Sequence, residues 1–91
     1  MDWSREVKIK DHWVCQGKDC GEIDRALLES HHTHPKGEYP ELAFDLDNGQ
    51  CLCIRCHAEK HKDNPILFAK ILLRLEVIMH KRLYKIIKDS A

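Results

Sequence analysis

The chain has 91 residues, room for one domain, and a domain this small buries too little apolar surface to be comfortably stable on its core alone. No apolar run reaches the roughly 18 residues of a membrane span, and the charged opening Met1-Asp2-Trp3-Ser4-Arg5-Glu6 does not read as a signal peptide, so a soluble, cytoplasmic protein is expected. Net charge is zero, so composition alone names no polyanionic partner; five cysteines, an odd number, and seven histidines point to metal ligands rather than a disulfide framework.

Residues 1–14 are weakly patterned, a short helix or strand to which no function is assigned. The segment Cys15-Gln16-Gly17-Lys18-Asp19-Cys20-Gly21 follows, and its two glycines permit the tight turn that carries both sulfurs to one ion. Residues 27–33 read as a strand that delivers His31 and His32, broken by Pro35-Lys36-Gly37. From Glu38 to Asp47 the chain is acidic and irregular, a loop returning to a turn at Asp47-Asn48-Gly49.

A short strand, Gln50-Cys51-Leu52, meets a second cysteine pair, Cys53-Ile54-Arg55-Cys56, which runs into the helical stretch His57–His61. Asn64-Pro65 then supplies an N-cap and a first-turn proline for a long helix from about Pro65 to Lys88. Its apolar stripe comprises Phe68, Leu72, Leu75, Met79, Leu83 and Ile86, widened by Ile71, Ile78 and Ile87. Either the domain itself covers that stripe, or part of it packs on a second copy, giving a homodimer through the C-terminal helix. From Lys60 onward eight basic residues face three acidic ones, which fits phosphate contact and equally a solvated helix face.

Two metal constellations emerge. A C-x4-C pair and a C-x2-C pair about thirty residues apart match the layout of a tetrahedral structural zinc, with Cys15, Cys20, Cys53 and Cys56 as ligands. Cys51 breaks the spacing and is read as a buried free thiol or a substitute ligand. His57 and His61, four apart on a helix, share one face and can share one ion, and a third ligand would still leave positions for substrate. His31 and His32 are adjacent, so an extended chain turns them to opposite faces and their roles should split: one on the ion, the other an unligated imidazole suited to withdrawing a proton. Spacing alone does not say which is which, nor does it exclude a second structural site or plain surface histidines.

The stretch Leu28-Glu29-Ser30-His31-His32-Thr33, with Tyr39-Pro40-Glu41-Leu42, Asp47-Asn48-Gly49, Leu52 to His57 and Lys60-His61, resembles the HNH endonuclease family. The paired histidines, the asparagine five residues before C-x2-C-H and the closing H-x3-H stand in the family's order. The resemblance implies a small α+β fold: a ββα-metal unit stapled by a four-cysteine zinc and followed by the long helix. The whole chain would then be one nuclease domain, with a core over 12–62 and the helix over 64–89. It further implies that His32 is the general base, that His31 binds metal with His57 and His61, and that Asn48 braces the loop that aims His32. The expected cofactors are a structural Zn2+ and one catalytic divalent ion. Histidine where many relatives carry aspartate favours Zn2+, Ni2+, Co2+ or Mn2+ over Mg2+. DNA is the expected substrate; a non-catalytic zinc-finger module that binds nucleic acid or protein is the competing reading. His12, His34 and His80 match no position of the motif.

Overall fold

The computed structural model describes residues 1–90. Helix α1 (Trp3–Lys10) precedes strand β1 (Leu28–His32); strand β2 (Gly49–Cys53) then leads directly into α2 (Ile54–Lys60), and α3 (Pro65–Asp89) closes the order. The acidic stretch between the strands is less irregular than its composition suggests, with short 3-10 turns at Pro40–Leu42 and Leu46–Asn48.

The two strands pair antiparallel, from Leu28 opposite Cys53 to His32 opposite Gly49. Because side chains alternate along a strand, Leu28, Ser30 and His32 share one face, while Glu29 and His31 share the other. Helix α1 lies on the first face: Ser30 Oγ donates to the Ser4 carbonyl at 2.6 Å, and the Trp3 indole meets His32. Gly49 makes this approach possible, since a Cβ there would sit 2.2 Å from Val7 Cγ2 and 2.9 Å from the Trp3 ring. The end of α1 also satisfies β2, with Lys10 Nζ donating to the Gly49 carbonyl at 3.0 Å and the Cys51 amide donating to Asp11 Oδ2 at 2.8 Å.

The helices α2 and α3 lie on the other side, where Ile54, Ala58 and Ile71 form a buried cluster flanked by Leu67, Phe68, Leu72, Leu75 and Ile78. A second cluster, Cys15, Leu28, Cys51, Leu52 and Cys53, joins the sheet to the first cysteine segment. The start of α3 is fixed by Asn64, whose Oδ1 accepts from the Leu67 amide at 3.2 Å. Only the first half of its apolar stripe is covered. From Met79 onward every described residue is exposed, and Leu83, Tyr84, Ile86 and Ile87 are 55–65 % accessible. Among the described residues, no helix is long and apolar enough to cross a membrane.

Candidate metal centre

The sulfurs of Cys15, Cys20, Cys53 and Cys56 all lie within 4.8 Å of one another. Four thiolates about 2.3 Å from a tetrahedral ion stand about 3.8 Å apart, and the Cys20 and Cys53 sulfurs are separated by 3.8 Å. The backbone is shaped to this end. At Gly17 a Cβ would fall 2.5 Å from Cys56 Sγ, so the first segment can close on the second only with glycine there, and Gly21 takes a left-handed φ of 70°. Burial, followed by the neighbouring thiols, pushes the Cys56 thiol far up, and burial raises Cys53 as well. A cation among the four sulfurs would reverse that cost, so the donor set fits one thiophilic metal ion. Cys51 is fully buried but stands outside this group, its thiol pushed up to about 11 by burial and then by Asp11.

The same elements build the second cluster. Cys53 caps α2, its sulfur accepting from the Cys56 amide at 3.5 Å, so one residue of the cysteine group also starts the helix that bears His57. His61 sits at the C-cap of that helix, and His31 comes from β1. The three ring centroids form a nearly equilateral triangle with sides of 5.1–5.2 Å, and their nitrogens lie within 4.8 Å of one another. Burial, then the neighbouring His57 and His61, holds His31 down to about 4, and burial followed by His57 lowers His61. Both rings therefore stay neutral at physiological pH, the form in which imidazole binds metal. The donor set fits a single divalent ion with only three protein ligands.

His57 has one nitrogen already engaged. Glu29, two residues before His31 and on the same strand face, accepts from His57 Nδ1 at 2.8 Å. Burial pushes the Glu29 carboxyl up, but the hydrogen bonds from His57 and Arg74 outweigh it and hold it at about 2. An ionised carboxylate only accepts, so Nδ1 carries a proton, and in the neutral ring Nε2 keeps the lone pair.

His32 faces the opposite way. Its ring stacks on the Trp3 indole, with centroids 3.9 Å apart and planes inclined by 8°, and Nε2 donates to the Ala43 carbonyl at 3.0 Å. A carbonyl cannot donate, so a proton sits on Nε2, and in the neutral ring Nδ1 keeps the lone pair. The loop that offers Ala43 is tied back by Asn48, which is 4 % exposed. Its Oδ1 accepts from the His34 amide at 2.8 Å, and its Nδ2 donates to the carbonyls of His34 at 3.0 Å and Leu42 at 3.2 Å. These bonds tie the chain just after His32 to the chain just before Ala43, closing the loop between them.

His31, His32, His57 and His61 line one cleft of about 690 Å3, and Lys36 and Lys60 border it. The histidine pair thus separates across the strand as its alternation requires, and of the two it is His31, a choice that spacing left open, whose donor atom stands with those of His57 and His61. His12, His34 and His80 lie outside both metal groups. Three contributors carry no role in the sequence reading. Trp3 lies in the segment that carried no assignment; its only trace is the four-residue spacing to Val7, two apolar residues on one face of a short helix. Glu29 could have been found by its strand parity with His31. Arg74 left no local signal, being 45 residues from the glutamate it contacts.

Among known proteins, the family model for the HNH endonuclease matches residues 15–63, just over half of the chain. The comparison with curated proteins and the comparison with solved structures each give no match.

Proposed function

This chain belongs to the HNH endonuclease family, and from that membership we propose that it is a metal-dependent DNA endonuclease with His32 as general base. The observation that carries this reading is the division of labour between adjacent histidines. His31 joins two other imidazoles, while the His32 ring, one residue on, has its Nε2 proton committed to a carbonyl and its Nδ1 lone pair free.

In this mechanism His31, His57 and His61 hold a divalent ion, which when bound supplies Lewis-acid stabilisation of the charge that builds on the phosphoryl and leaving oxygens. His32 Nδ1 takes the proton from an attacking water. The Ala43 carbonyl steadies the imidazolium through Nε2–H, and the Trp3 face holds the ring plane. Water adds in line at phosphorus as the P–O3′ bond breaks; the leaving oxygen takes a proton from solvent and His32 later returns its own to solvent, giving 3′-hydroxyl and 5′-phosphate ends. Lys36 and Lys60 border the cleft where they can meet phosphates flanking the scissile one.

Zinc is the ion we assign to the four cysteines, where its role is to hold the fold. A reducing cytoplasm would keep those thiols available to it. With one such site per chain, a monomer nicks one strand. A homodimer, joined through the exposed end of α3, would be able to cut both. The test is conversion of supercoiled plasmid with Mn2+, Ni2+, Co2+, Zn2+ or Mg2+, comparing the parent with His32→Ala. Removal of a general base should lower the rate by about 100-fold or more while bound zinc and fold are retained. Equal rates would reassign the base, and binding of plasmid without nicking under every ion would make the chain a non-catalytic zinc module.

A further inference from the structure

We propose that the C-terminal helix is a working part of the metal centre: Arg74 on α3 locks Glu29, and Glu29 in turn selects the nitrogen that His57 presents to the ion. This rests on the reading of His31, His57 and His61 as a ligand set, and it extends the site beyond the family-matched residues 15–63.

The contacts form one continuous chain. Arg74 Nε donates to Glu29 Oε2 at 2.6 Å and Arg74 Nη2 donates to Glu29 Oε1 at 2.7 Å, the paired fork of a guanidinium on a carboxylate. The same Oε1 takes the proton of His57 Nδ1 at 2.8 Å. Arg74 therefore fixes the plane of the carboxylate, and the carboxylate fixes the tautomer and orientation of the ring. A histidine without such a partner favours the proton on Nε2, the nitrogen that has to be bare here. A ligating imidazole whose other nitrogen is held by a carboxylate is both oriented and made more basic.

A plain surface ion pair is the competing account of Arg74. Its side chain is 46 % exposed, and a pair at that exposure adds little to stability. The geometry separates the two accounts. Glu29 is more enclosed than Arg74, at 22 %, and His57 more enclosed still, at 15 %, so the chain runs inward from solvent to the triangle of rings. Lysine could match the charge at position 74 but not the fork, since an ammonium offers no fixed pair of coplanar donors. The role claimed is one of positioning: neither Glu29 nor Arg74 touches the substrate in this scheme.

The experiment titrates Ni2+ calorimetrically into the full chain carrying zinc on its cysteines, with zinc counted before and after to show that it stays. Parent, Glu29→Gln, Arg74→Met and Arg74→Lys are compared, and 15N spectra of the His57 ring are read without nickel. Glu29→Gln and Arg74→Met should each weaken nickel binding by about 10- to 100-fold, Arg74→Lys should fall between them and the parent, and melting temperatures should move little. In the parent the His57 proton should sit on Nδ1; in Arg74→Met part of it should move to Nε2. Nickel affinities within twofold of the parent, or a parent ring protonated at Nε2, would overturn the proposal. If Glu29→Gln does not fold, the two Arg74 variants decide it alone. A parent that binds nickel but never cuts DNA under any ion would sink the nuclease reading and leave this one standing, whereas a parent that binds none of Ni2+, Co2+, Mn2+, Zn2+ and Mg2+ beyond its cysteine ion would sink both.

Discussion

His32 is held from two directions, by the Trp3 face and by the Ala43 carbonyl, and the first hold depends on a residue with no side chain. Gly49 leaves the gap into which Val7 and Trp3 fit. Gly49→Ala forces a methyl group into that contact and should destabilise the fold by about 1–3 kcal/mol, read from denaturant unfolding, with a loss of cleavage larger than the unfolded fraction explains. Trp3 can be dissected in the same way. Trp3→Phe keeps a stacking ring but loses the bond from Nε1 to the Asp45 carbonyl at 3.0 Å and part of the buried indole, so it should cost about 1–2 kcal/mol. Trp3→Ala loses the ring as well and should cost about 3–5 kcal/mol. Equal losses from the two would mean that the stack contributes nothing. What the sequence displayed at this scale was local: sulfur spacing, H-x3-H and strand parity each relate residues a few positions apart. The supports of His32 come from 29 residues before it and 11 after it, and contacts at such separations leave no spacing to read.

The elements divide into a sheet with two occupied faces and a helix that outruns its core. Strand β1 presents His32 to α1 and His31 to α2, and α2 begins on a cysteine sulfur, so the two metal groups share a scaffold of one hairpin and one short helix. The caps of α3 and its period were legible from Asn64-Pro65 and the apolar stripe. How far the domain covers that stripe was not, because coverage depends on how much surface α2 and the sheet offer, and that is exhausted by Ile78. Beyond it the helix is tied to the rest by the ion pair from Arg82 Nη2 to Asp24 Oδ2 at 2.7 Å. A chain ending at residue 80 should therefore fold with its zinc and lose no more than about 1 kcal/mol, the worth of such a pair. If the exposed end joins two copies, that chain should also sediment as a monomer while the full chain sediments as a dimer. Equal masses would remove the homodimer from the account.

At the scale of the molecule, the largest fully buried side chains are few: Leu52, Ile54, Ile71, Val7 and Cys51. A core of that size is marginal for a chain of 91 residues. The four-sulfur group closes the hairpin onto the first cysteine segment, and a zinc held there would contribute to folding on the order of 10 kcal/mol. Stripping the metal with a strong chelator should abolish the cooperative unfolding transition seen by circular dichroism, and Cys53→Ser should express as an unfolded chain. A chelated protein that still melts cooperatively would show that the apolar clusters suffice. Loss of the ion at the histidines should leave that transition in place, since the sheet and both helix contacts persist without it.

The proposed reaction needs one ion held by His31, His57 and His61 beside a His32 that stays unligated. Anomalous diffraction from a crystal soaked in Mn2+ would locate that ion directly. One manganese peak is expected within bonding distance of a nitrogen of each of the three rings, with His57 contributing Nε2 and His32 outside bonding distance. A peak bonded to His32, or one that leaves out any of the three, would contradict it.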